Sequence, residues 1–464
     1  MRYLSYIFAA FFRPLNSCRH ALKPAALFPL RSGGYALVAS ALVGGSASGQ
    51  IQKKVLIDPL PLGGDGTTYL SFGGEIRERF EYYSEPFFGL RGVAADDYLL
   101  HRLLLNADLH AGDHFRFFLQ LGNFLEAGKV AGRAPTDVDE FDIQQGFADF
   151  ILPFDTRRKL VLRAGRQEIT LGAGRLVSVR DGANIRRSFD GARLLFTAGD
   201  ASLDLLAVRT VNLKVGAIND DPNRHEALWG LYGVLPVLPG GYVDLYYLGL
   251  QRDDAAFQQG IADELRHSFG ARFWGKPGAW DYNYEALIQT GSFGGANILA
   301  WTVATDTGYT SASLPFHPRV GFKADIATGD CNPNDGRLTT FNALFPKQPY
   351  FSEASLIAPA NLIDLHPMLS LQLSHELSFT TDYNVFWKQR VEDAIYAPPG
   401  RPLVRAGETN SRYIGSQINT GLQWQFHANA SWTLYYSHFF AGSAVTKAGG
   451  REVDFVGSWI TVQF

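Results

Sequence analysis

Between Gly165 and Leu194 the chain reads GRQEITLGAGRLVSVRDGANIRRSFDGARL, which sets Arg166, Arg175, Arg180, Arg186, Arg187 and Arg193 against only Glu168, Asp181 and Asp190. A guanidinium is a planar fork that stays charged and can meet a carboxylate through two parallel hydrogen bonds. So dense a group can do one of two things. It can hold an anion, or it can fix a loop through ion pairs. The chain as a whole does not share this character, since its 464 residues carry a formal net charge of -3 and a pI of about 6.4. The cationic chemistry is local, and a nucleic acid is not an expected partner.

Other groupings that could do chemistry are incomplete. In TGDCNPNDG, Asp330, Asn332, Asn334 and Asp335 lie close together, but Asp335 stands where a calcium loop needs glycine and Phe341 where it needs a bidentate Glu. A polar turn is the expectation there, with a loop calcium on Asp330, Asn332 and Asp335 as the second reading; no other metal or cofactor is expected. LGAGRL has Val177 at the third glycine position of a dinucleotide fingerprint, and HELSF has His375 and Glu376 without the second His of a zinc helix. No nucleophile elbow, phosphate loop or CxxC is present, so no enzyme activity is expected.

The elements that must position the arginines follow from composition and period. Aromatics make up 13% of the chain and charged residues 19%, with 48 Gly and 2 Met, a mixture that suits strands and turns. In RVGFKADIA, Val320, Phe322, Ala324 and Ile326 fall on one face, while Arg319, Lys323 and Asp325 fall on the other. YNYEALIQT and QINTGLQWQF split in the same way, and turn stretches such as HAGDHF, TAGDAS and GKPGAW separate the segments. Polar faces rich in Gln, Asn, Arg and Glu suit a wet lumen, and aromatics crowd near strand ends as interfacial girdles do. The last strand, DFVGSWITVQF, ends on Phe464. This resembles the C-terminal signal of bacterial outer-membrane proteins, which implies the barrel-assembly machinery as a partner and outer-membrane lipid as the surroundings.

At the N-terminus, Arg31 precedes the apolar YALVASALV and the small residues GGSASGQ, the order of a secretory leader. The expected organisation is a signal peptide with a long extension over 1–49, a periplasmic lead-in over 50–68 and a barrel over 69–464. The extension suggests a true translation start near Leu27 or Leu30. Cys18 leaves with the leader, so the mature chain keeps Cys331 and no intramolecular disulfide can form. About 415 mature residues, at about 22 to 26 per strand with its share of loop, give about 16 to 18 antiparallel strands in a single-chain transmembrane β-barrel.

If the apolar parity faces lipid, the opposite parity lines the lumen. It carries Arg102, Asn106, Asp108, Arg116, Gln120, Arg163, Arg193, Arg266, Arg272, Arg319, Lys323, Lys388 and Arg390, with Asp204, Glu285, Asp325 and Glu376 in opposition. The expected lumen is therefore Arg-lined and basic. Placing Arg163, Arg166 and Glu168 all inside requires one extra residue, for which Gly165 is suited as a bulge. The following GAGRLVSVRDGANIRRSF is read as an end loop folded toward the pore.

The stretch from Gly165 to Leu194 resembles the core motif of the alginate export family of outer-membrane barrels, and TGDCNPNDGRLTTFNALFPKQPYF resembles that family's second block. The resemblance runs from about Tyr69 to Phe464. It implies a monomeric barrel of about eighteen strands in the bacterial outer membrane, with an Arg-lined channel that passes a polyuronate. It also implies path roles for Arg166, Arg175, Arg180, Arg187 and Arg193, with Glu168, Asp181 and Asp190 as pore acids. The expected function is an outer-membrane channel that passes an anionic polysaccharide such as alginate, or related acidic saccharides, by passive diffusion through an electropositive pore. A general small-solute porin is the alternative, and a secreted or outer-membrane β-enzyme acting on polysaccharide is the third reading.

Overall fold

The computed structural model describes residues 58–64 and 66–464; the expected leader, and the lead-in as far as residue 57, lie outside the described residues. Period-two alternation becomes long strands. In chain order they are β1 (Tyr69–Ser84), β2 (Ala95–Ala111), β3 (Phe115–Ala127), β4 (Asp139–Pro153), β5 (Arg158–Glu168) and β6 (Ser188–Ala198). Next come β7 (Ala201–Asn212), β8 (Asp221–Leu238), β9 (Gly241–Phe257), β10 (Gly260–Gly275), β11 (Trp280–Phe293) and β12 (Ala296–Thr310). The series ends with β13 (Arg319–Ala327), β14 (Leu362–Gln372), β15 (Leu377–Lys388), β16 (Tyr413–His427), β17 (Ala430–Ala441) and β18 (Val453–Gln463).

Each strand pairs antiparallel with the next, and β18 pairs with β1, so the sheet closes with no free edge. The strands run from 9 to 18 residues, against the roughly 9 to 11 that a tilted strand needs to cross the hydrocarbon layer. Phe464 completes the seam. Its N–H and carbonyl exchange hydrogen bonds with Gly74, where a Cβ would fall 2.6 Å from the Phe464 ring. Leu60–Pro61 lies against the start of β1.

The outward parity is apolar and exposed, as in Phe72, Phe117, Leu205, Phe269, Ile288 and Phe322. Such a band has a physical reason to exist only where lipid covers it. Near the short turns, Tyr242 stacks on Trp274 at 4.5 Å and Trp280 meets Tyr309 at 5.0 Å; Trp387 and Tyr413 sit together at the other end. These are the two aromatic belts expected at the membrane interfaces.

Turns of a few residues, such as 112–114, 199–200 and 239–240, lie at one end with the C-terminus, and long segments such as 169–187, 328–361 and 389–412 lie at the other. By the asymmetry of outer-membrane barrels the long-loop end faces outward. The extra residue foreseen at Gly165 is not there, because β5 pairs without a shift on both sides. The irregularities lie on β4, where the register against β3 shifts between Gln145 and Ile143 and again between Asp142 and Asp139. Gly165 instead takes φ 129 opposite Gly191 at φ 153, and a Cβ on Gly165 would fall 2.2 Å from the Gly146 carbonyl. Glycine is needed there for close backbone approach. Glu376 and Arg390, expected on lumen faces, lie in segments beyond the ends of β15, because that strand runs only from Leu377 to Lys388.

Candidate functional site: two loops joined inside the barrel

Segments 169–187 and 328–361 run across the interior rather than over the rim. On one side, Arg77 of β1 donates to the carbonyls of Asp181 and Ala183, and Arg102 of β2 donates to the carbonyl of Asn184 at 2.9 Å. On the other, Arg175 reaches Glu285 and Asn283 of β11, each at 2.9 Å. Those strands lie about half a circumference apart, so the first segment spans the lumen.

The second segment joins it through main-chain bonds. The Ser178 N–H donates to the Phe345 carbonyl at 3.0 Å and the Phe345 N–H donates to the Leu176 carbonyl at 2.8 Å. Lys347 N–H to the Gly174 carbonyl and Gly182 N–H to the Gln348 carbonyl, both 2.8 Å, extend the seam. Backbone polar groups inside a barrel need such partners.

Packing explains why the loops stay in. Ile169, Leu171, Leu176, Val177, Leu344 and Phe345 bury their side chains in one cluster with inward residues of the wall such as Leu206, Val208, Leu228 and Leu248. The lumen is thus partly a dry core. At about 25 cal/mol per Å² of apolar surface removed from water, burying each large side chain contributes about 1.5–3 kcal/mol.

The sequence-predicted lumen arginines of the wall are where parity puts them, but they are matched. Arg116 bonds Asp108 through both arms at 2.7 and 2.8 Å, Arg163 bonds Asp149 likewise, and Arg193 bonds Asp204. Arg163 and Arg193 sit directly opposite each other, so the acids on either side offset a repulsive pair. Asp108, Arg116, Asp149, Arg163, Arg193 and Asp204 form one ladder from β2 to β7. Arg266 pairs with Glu264, Arg272 with Asp244, and Arg319 with Asp281 and Asp306. The lumen wall is thereby charge-balanced rather than freely basic. Lys388 turns its ammonium to the Val391 carbonyl at the outer end of β15, at 2.8 Å.

The motif residues divide. Arg166 pairs with Asp190 at 2.9 Å, Glu168 accepts from Gln144 at 3.0 Å, and Asp181 accepts from Arg102 at 2.8 Å and Arg186 at 2.6 Å. Burial works to raise the Asp181 carboxyl, but Arg186, Arg102 and Arg77 outweigh it and hold it below the usual range. This Asp is an anchor that keeps the loop inside.

Arg180, Arg187 and Lys347 differ. Among the described residues none of the three forms an ion pair with a carboxylate. Arg187 donates to the Ser178 and Pro346 carbonyls, Nε of Arg180 is buried without a partner, and Arg180 is held at φ 55. Burial, then the Arg180 charge, lowers the affinity of Arg187 for its proton. The Lys347 ammonium is pushed down to about 8 by burial and by Lys323 and Arg175. All three line a cavity of about 670 Å³ beneath the outer loops. Lys323 is likewise without an ion pair among the described residues and sits opposite His366 on β14.

Sequence reasoning passed over Arg77 and Arg79, although EIRERF places both inward by the same parity rule that found Arg102. Arg252 of β9, which pairs with Glu226 of β8, follows the mainly apolar inward residues Tyr246, Leu248 and Leu250 and so did not stand out, and Lys347 gave no signal because only the contact between loops brings it to the cavity. In the turn 330–335, Asp330 accepts from the Asn332 N–H, Asn332 from the Asn334 N–H and Asp335 from the Arg337 N–H. These oxygens serve their own backbone, as in a polar turn.

The sequence profile of the alginate export family matches residues 68–458. A search of curated proteins gives no match. Among solved structures the fold is similar to OccAB1 of Acinetobacter baumannii, with 12% identity over 90% of this chain and 99% of that one and a TM-score of 0.58. It is also similar to Pseudomonas aeruginosa OccK8 (OprE), with 12% identity, 85% and 98% coverage and a TM-score of 0.53. A third is Pseudomonas aeruginosa OccK2 (OpdF) in complex with glucuronate, with 11% identity, 85% and 96% coverage and a TM-score of 0.52. Family and architecture together place this eighteen-strand barrel in the bacterial outer membrane as a channel.

Proposed function

We propose, because the chain belongs to the alginate export family, that this channel passes acidic saccharides, and that Arg180 and Arg187, with Lys347, receive their carboxylates. One observation carries this reading: two half-buried guanidinium groups without acidic partners, Arg180 with its Nε buried and unbonded and Arg187 on carbonyls only, face an open cavity at the internal seam. A buried N–H left unmatched is costly, and a uronate carboxylate would relieve it through forked hydrogen bonds. The paired wall arginines offer weaker, shared contacts along which a saccharide can move, since a path that conducts must bind at several sites without trapping.

A second reading has its own support. The seam between 169–187 and 328–361 narrows the lumen, which favours mono- and oligouronates over a continuous polymer. A structure of similar fold is recorded with glucuronate. Export of a polyuronate such as alginate would then require the seam to part. As a monomeric barrel the chain would need no partner subunit, with Phe464 as the assembly signal and residues 1–49 as the export signal.

The test is a planar-bilayer recording of the refolded protein under a KCl gradient, with oligouronates of increasing length added to one side. The expected result is an anion-selective reversal potential and block by uronates but not by neutral oligosaccharides of the same length. A cation-selective or uronate-blind current would contradict the proposal and leave a general small-solute porin.

A further inference from the structure

At the outer end of β4 lies a second charged site that takes no part in the path just described. Asp139 opens the strand, Asp142 follows three residues later across the register shift against β3, and Asp220 closes the segment 213–220 that leads into β8. That segment is laid along β4 by two main-chain bonds: Phe141 N–H to the Gly216 carbonyl at 3.0 Å, and Ile218 N–H to the Phe141 carbonyl at 2.8 Å. One carboxylate oxygen from each of Asp139, Asp142 and Asp220 lies within 4.8 Å of the others.

Close carboxylates alone can be a solvated acidic rim. Here a separate observation points to a ligand. Asp139 is 1% exposed, and its Oδ1 is buried without any hydrogen-bond partner. Its neighbours are already committed elsewhere in part. Asp142 accepts from the N–H groups of Ile143, Asn219 and Asp220 at 2.6, 2.7 and 3.0 Å, and Asp220 accepts from the Lys214 N–H at 2.7 Å. Each keeps lone pairs for a further contact. The nearest cation, Arg166, is forked onto Asp190 at 2.9 and 3.1 Å and stands 3.6 Å from Asp142, so one guanidinium faces four carboxylates. A buried, unpartnered carboxylate beside two others is stable only if a positive ion joins them or a proton is taken up.

We propose that Asp139, Asp142 and Asp220 form a calcium site that clamps segment 213–220 to the outer end of β4. The donor set is oxygen alone, which excludes the soft and borderline metals that look for His or Cys. Three carboxylates from two chain segments, completed by water or nearby carbonyls, suit the irregular six- to eight-oxygen shell of calcium better than the strict octahedron of magnesium. The half-exposed Asp220 leaves an entry from the outside. Occupancy would relieve Asp139 and tie the segment down beside the Arg166–Asp190 pair.

The experiment uses the full chain folded in detergent, stripped with EGTA and dialysed against CaCl2 with labelled calcium. The wild-type protein should bind one calcium, and Asp139→Asn and Asp220→Asn should each weaken that binding by at least about tenfold. Asp335→Asn, in the polar turn, should leave it unchanged. A parallel readout needs no substitution: calcium should slow trypsin cleavage after Lys214 in the wild-type chain. Wild-type protein that binds no calcium at millimolar CaCl2, or binding and trypsin protection that survive both substitutions, would overturn the proposal. If Asp139→Asn does not fold, Asp220→Asn and the trypsin readout decide the matter by the same criteria.

Discussion

The arginines of the wall and those of the inward loops have the same chemistry and opposite circumstances. Arg116, Arg163 and Arg193 each meet an Asp on an adjacent strand, whereas Arg180 and Arg187 meet only carbonyls, an aromatic ring or nothing. Pairing within a sheet follows from register. Once β2 to β7 are aligned, their inward acids and bases fall into contact and stabilise the wall. A loop has no fixed register, so its charges are matched only where an anchor holds them, as Asp181 is held by Arg102 and Arg186. A charge left unmatched in such a place is available to a solute.

The contrast can be broken most forcefully at the anchor. Arg102 is fully buried and binds Glu75, Asp181 and the carbonyls of Ala183 and Asn184. Arg102→Ala should release the first loop at a cost of about 1.5–3 kcal/mol for each charged hydrogen bond it loses, among them those to the carbonyls of Ala183 and Asn184. Hydrogen exchange across 169–187 should rise, and single-channel conductance should increase, while the wall stays closed.

Smaller, and confined to function, is the effect expected at the free cations. Replacing Arg180 or Arg187 with Gln should weaken uronate block by about 10- to 100-fold, as expected for losing a charged hydrogen bond of about 1.5–3 kcal/mol. Hydrogen exchange should remain as in the wild type. The same change at Arg163 should do the reverse, lowering the midpoint of thermal unfolding and altering block little, because it leaves the buried Asp149 with only the longer contact to Arg116 at 3.7 Å.

The mildest test is pH. Lys347 is surrounded by Lys323, Arg175, Asp325 and Asp306, and its ammonium is pushed down to about 8. As pH rises through that value the group becomes neutral and the cavity loses a positive charge, so uronate block should weaken a few-fold between about pH 7 and 9. Lys347→Met should remove that step and leave block at its high-pH level throughout.

Much of this was open to reading in the chain. The alternation in RVGFKADIA fixed which side of β13 faces lipid, and Val320 is indeed 63% exposed and Phe322 46%. Parity also put Arg102, Arg116 and Arg266 inside. What parity does not carry is the partner across the strand. Asp149 and Arg163 are both visible as inward residues, but their bond depends on the register of β4 against β5, and β4 carries its irregularities against β3 at Gln145 and Asp142 rather than at Gly165. The seam between Leu176 and Phe345 joins residues far apart in sequence through main-chain atoms, which side-chain types do not report. The lumen therefore read as basic when its acids were already taken up.

The central claim is that the two unpaired loop arginines, and not the more numerous paired ones, select the solute. It is tested most directly by comparing two double variants in one planar bilayer, Arg180→Gln with Arg187→Gln against Arg163→Gln with Arg193→Gln, and titrating each with the same oligouronate. The account predicts that the first loses anion selectivity and uronate block and that the second keeps both. Loss in the second with retention in the first would place selection on the wall and contradict it.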